Sequence, residues 1–93
     1  MLLWKVAERL RAVRAIVEEA FAQIQVVMDE NLYTAVQILN LAIPNAEEGD
    51  IPALRRDIRL ALSNIDSAYA QLKDVLRDID DARKILAEML SES

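Results

Sequence analysis

The sequence reads as all-α: a long antiparallel hairpin of two helices of about 40 residues each, assembling into a four-helix bundle as a homodimer or higher oligomer. Three observations predict this. The chain is 54% apolar and 29% charged, too apolar for a disordered polymer. It holds one Gly and two Pro in 93 residues, too little turn chemistry for a sandwich or barrel of short strands. Those three breakers all fall in one stretch, Pro44 to Pro52, and the sequence on either side is free of them. Residues 1–93 are therefore expected to form one hairpin, with a helix over about 2–42, a turn over about 43–50 and a helix over about 51–90.

The first helix carries apolar residues every seven positions. Leu3, Leu10, Val17 and Ile24 lead to Asn31 and Ile38, and Val6, Val13, Ala20 and Val27 lead to Thr34 and Leu41. These are the a and d rows of a heptad lettered a to g. A third row, with Ala7, Phe21, Met28, Ala35 and Ala42, adds the e position. Pro44 disfavours helical geometry at Ile43, so this helix is expected to end near Ala42.

In the turn, Gly49 can take the positive φ that reverses the chain. Asp50 is a good N-cap for the second helix, and Pro52 stands in its first turn, where a missing N–H costs nothing. The second helix repeats the pattern. Ile51, Ile58, Ile65, Leu72, Ile79 and Leu86 fill a, and Leu54, Ala61, Ala68, Val75, Ala82 and Met89 fill d. Leu62, Tyr69, Leu76 and Leu90 stand in the e row. An a/d/e stripe is wider than a two-stranded coiled coil needs, and two hairpins packed face to face would cover it.

Charge supports an antiparallel fold-back. Residues 1–17 carry four bases and one acid, and residues 18–50 carry seven acids and no base. Folding at the turn sets the basic start of the first helix beside the acidic end of the second, and Arg55, Arg56 and Arg59 beside the acidic half of the first.

The chemistry available is narrow. There is no Cys and no His, which removes the thiol nucleophile, the commonest general base and the commonest transition-metal ligand. No carboxylate falls in the a or d rows, so no di-iron bundle site is expected. Asp74, Asp78, Asp80 and Asp81 cluster on the second helix, but Lys73, Arg77 and Lys84 are interleaved at ion-pair spacing, so they read as a salt-bridged face rather than a cation ridge. The Arg55, Arg56, Arg59 cluster has no aromatic platform or Gly-rich loop, and the net charge is −5, so nucleic acid is not expected as a partner. The start, with Leu2, Leu3 and Trp4, has bases spread round the helix, which suits a bundle end covered by Trp4 better than a membrane surface. No stretch reaches the length of a membrane span, and a cytoplasmic location is expected.

Two features remain. Asn31 interrupts an aliphatic a row, which reads as a device fixing register and oligomer state. Leu32, Val36, Leu39 and Ile43 fall at b and f, away from the a/d/e stripe, and form a second apolar stripe at helical spacing, with Leu60 of the second helix at a comparable height above the turn. A second stripe implies a second contact, either further self-assembly or another protein docked near the hairpin tip.

The length and mid-chain turn superficially resemble those of small ESX-type secreted hairpins, but the Trp-x-Gly turn motif of that family is absent. The turn reads Ile43-Pro44-Asn45-Ala46-Glu47-Glu48-Gly49-Asp50, and the one tryptophan is Trp4. The expected function is a non-enzymatic protein–protein interaction or scaffolding module, homo-oligomeric, with no cofactor or metal. The alternatives are a small helical enzyme with a site lined by Arg14, Arg55 and Arg83 of the e rows, or a secreted or membrane-associated hairpin.

Overall fold

A computed structural model describes residues 2–92. They form one antiparallel helical hairpin, with no strand among the described residues. The first arm is unbroken from residue 3 to 48 and has three parts: α1 (Leu3–Val26), a π-helical segment (Val27–Leu32) and α2 (Tyr33–Glu48). The second arm is α3 (Ile51–Glu92), 42 residues long. The hairpin measures 68 × 17 × 14 Å, with a radius of gyration of 20.4 Å. A compact chain of this length would have a radius near ~12 Å.

The turn is tighter than expected. The first arm does not end at Ala42 but runs through Pro44 to Glu48. A proline inside a helix removes one backbone bond and crowds the preceding turn, at a cost of about 3 kcal/mol. Two interactions beyond Pro44 favour continuation. Asn45 donates from Nδ2 to Oδ2 of Asp57 at 2.7 Å. Gly49, at φ +75°, then closes the helix: its N–H reaches the Ala46 carbonyl and the Asp50 N–H reaches the Asn45 carbonyl. This is the six-residue C-terminal closure in which glycine takes the left-handed conformation. Asp50 caps α3 as expected, its Oδ1 accepting from the Ala53 N–H at 3.2 Å.

The two arms meet along a line of small residues. Val13, Ala20, Val27, Ala35 and Ala42 are buried on the first arm, and Ala61, Ala68, Val75 and Ala82 on the second. Small side chains let the backbones approach closely, so the rod is thin. On α3 this line is the d row throughout, without a break. On the first arm the line is d only as far as Val27. The next buried residue is Ala35, eight positions on rather than seven.

The π segment supplies the extra residue. Within it the Tyr33 N–H reaches back five residues to the Met28 carbonyl. A wider turn of this kind absorbs one inserted residue without ending the helix. The constant heptad frame expected from sequence is therefore wrong past Asn31. Thr34 and Leu41, expected at d, are displaced from the contact line, and Leu41 is 64% exposed. Ala35 and Ala42 take their place. With that shift Val27 stands level with Val75, Ala35 with Ala68 and Ala42 with Ala61, in the register set by the Asn31–Gln71 and Asn45–Asp57 hydrogen bonds.

Candidate interaction surface

The contact line has a different surface on each side. On one side lie the g positions, which carry the polar contacts between the arms. Arg9 Nη1 pairs with Glu92 Oε2 at 2.7 Å at the open end. Gln71 Nε2 donates to Asn31 Oδ1 at 3.3 Å at mid-length, and also to Ser67 Oγ at 3.0 Å on its own helix. Asn45 donates to Asp57 near the tip. Asp57 is 4% exposed and is also approached by Arg56 Nε at 3.6 Å. These three contacts form a polar seam.

Asn31 belongs to this seam. The inserted residue moves it from the a row to a g position, half-buried and bonded within its own chain.

On the other side lie the a and e rows of both arms, which form one apolar face. Leu32, Val36, Leu39 and Ile43 are part of it. They are not a second stripe: once the extra residue is counted, Leu32 and Leu39 are a positions and Val36 and Ile43 are e positions, continuing the rows of Leu10, Val17 and Phe21. Leu60 is not part of it. It stands at a c position of α3, on the seam side. Among the described residues 24 large apolar side chains are exposed, and 18 of them fall in these a and e rows. Scattered exposed leucines are ordinary, whereas a continuous apolar strip along the whole rod is not. Phe21 is 63% exposed, Tyr69 66% and Leu76 64%. The signal was present in the sequence as a stripe that changes rows after Asn31, which is what a one-residue insertion produces.

Charge is almost absent from this face. Its only charged members are Arg14, Arg55 and Arg83, all exposed and spread along the e rows rather than gathered round a pocket. Arg14 pairs with Glu18 at 3.6 Å, and Arg83 pairs with Asp80. The Asp80 carboxyl is also bonded by Lys84 at 3.0 Å. That bond from Lys84 holds Asp80 below its ordinary carboxylate range against the opposing desolvation, with Arg83 adding to the lowering, and the same contact raises Lys84. Asp74 pairs with Arg77 at 3.7 Å. No three carboxylates among the described residues converge on a point where a metal ion could sit. Arg55 and Arg59 form no ion pair across to the first arm, and Arg56 pairs along its own helix with Asp57. Trp4 lies outside the face and is 59% exposed, with Lys5 Nζ 5.6 Å from its ring centre.

A cleft of about 450 Å³ lies at the open end of the face. Val6, Leu10, Leu86, Met89 and Leu90 line it, and the Arg9–Glu92 pair borders it on the seam side. A shallower one of about 250 Å³ lies by Leu76, Ile79, Asp80 and Arg83. No helix among the described residues is long and apolar enough to cross a membrane. No family model, curated protein or solved structure matches the chain.

Proposed function

We propose that this chain is a non-enzymatic interaction or scaffolding module that works as a homo-oligomer, its apolar face buried against another copy in a four-helix bundle. The single observation that carries the reading is the apolar a/e face running the length of the rod, broken only by Arg14, Arg55 and Arg83. The hairpin exposes 7047 Å². A compact monomer of this mass exposes about 5,400 Å², so the excess is about 1,600 Å². That is twice the ~800 Å² that each partner buries in a standard stable interface. The polar seam adds support: the polar contacts between the arms lie on the side away from this face.

Sedimentation equilibrium at micromolar concentration tests the proposal. The expected result is a helical species of at least twice the 10.5 kDa chain mass. A stably folded monomer would overturn it.

A further inference from the structure

We propose that the second copy lies head to tail on the apolar face, so that the tip of each hairpin fills the open-end cleft of the other. This rests on the self-association reading above and adds the orientation of the two copies.

Two hairpins can stack face to face with two-fold symmetry in only two ways. With the axis along the rod, both tips point the same way and α1 of one copy covers α3 of the other. With the axis across the rod, the tips point in opposite directions and each arm covers its own counterpart.

The cleft separates these choices. It opens among Leu10, Leu86 and Leu90 at the open end. Stacked in the same direction, cleft would meet cleft, leaving an unfilled apolar void, which close-packed interiors penalise steeply. Stacked head to tail, the stretch spanned by Leu10 and Leu86 meets the stretch of Ile43 and Ile58 near the other copy's tip. Those two side chains are 58% and 52% exposed and stand in the e and a rows. Apolar knobs at one end therefore meet an apolar hole at the other, twice per dimer.

The arginines of the face point the same way. Arg14 and Arg83 both lie toward the open end, about 6 Å apart in level, since the Arg9–Glu92 contact brings the start of α1 beside the end of α3. Same-direction stacking would bring Arg14 of each copy near Arg83 of the other, with no carboxylate in the a or e rows to separate them. Head-to-tail stacking moves the two sets to opposite ends of the dimer.

The chain has no cysteine, so single-cysteine variants can be labelled cleanly. Glu48→Cys marks the tip and Glu8→Cys the open end, both at exposed positions outside the face. Energy transfer is measured in two mixtures, with sedimentation run on the same samples. Donor on Glu48→Cys with acceptor on Glu8→Cys is expected to transfer efficiently. Donor and acceptor both on Glu48→Cys are expected to transfer little, because the tips are separated by about the 68 Å length of the rod. The reverse pattern, or no transfer in either mixture from a sample of dimer mass, overturns the head-to-tail arrangement while leaving self-association standing. A monomer mass with no transfer overturns both.

Discussion

The seam and the face are built on the same two helices, a small angle apart, and they solve different problems. The seam pairs Arg9 with Glu92, Asn31 with Gln71 and Asn45 with Asp57, each across the hairpin. The face is mostly large apolar side chains, and its arginines Arg14 and Arg83 pair along their own helices rather than across the hairpin. Hydrogen bonds and ion pairs specify register but contribute modestly to net stability. Apolar burial contributes more but specifies register poorly. In this hairpin the polar groups set how the arms align, the alanine line sets how closely they approach, and most of the apolar surface is left over for a second contact.

The largest expected effect comes from the face. Val36→Lys with Leu39→Glu places two charges at its centre near the tip. Both replacements are good helix formers and both sites are exposed in the single hairpin, so helicity should persist. Burying a side chain of this size is worth about 1.5–3 kcal/mol, so self-association should weaken by roughly two to four powers of ten. Sedimentation equilibrium measures the change. An unaltered association constant would show that these two side chains lie outside the contact.

A smaller effect is expected at the seam. Asp57→Ala leaves the Asn45 amide without its buried partner, at a cost of about 1–3 kcal/mol. Urea unfolding should show the loss at constant oligomer mass. A change in oligomer mass instead would mean that seam and face are not independent.

The smallest effect sharpens the comparison most. Deleting the exposed Asp29 removes the inserted residue and returns Ala35 and Ala42 to the d row of an unbroken heptad. The contact line and the face both survive this deletion, so stability should change by no more than about 0.5 kcal/mol, the range of a neutral surface change. A large loss by thermal unfolding would assign the π segment a role of its own.

Much of this molecule was legible in the sequence. The scarcity of Gly and Pro, the seven-residue spacing and the Asp50 cap specify two long helices and where the second begins, because local propensity and periodicity act within a few residues of the chain. The apolar residues of the later face, Leu32, Val36, Leu39 and Ile43 among them, were visible as a stripe. Two things were decided only in the tertiary structure. Pro44 ends helices locally, yet here the helix passes through it, because Asn45 gains a partner on α3, Asp57, that only the fold-back of the chain brings beside it. The stripe itself changes rows after Asn31, and a fixed heptad frame splits it into two. A π turn is unfavourable in an isolated helix. It persists where the opposite arm needs a small residue at each step of the contact line, and only the packing of α3 against the first arm makes Ala35 and Ala42, rather than Thr34 and Leu41, the residues that fit.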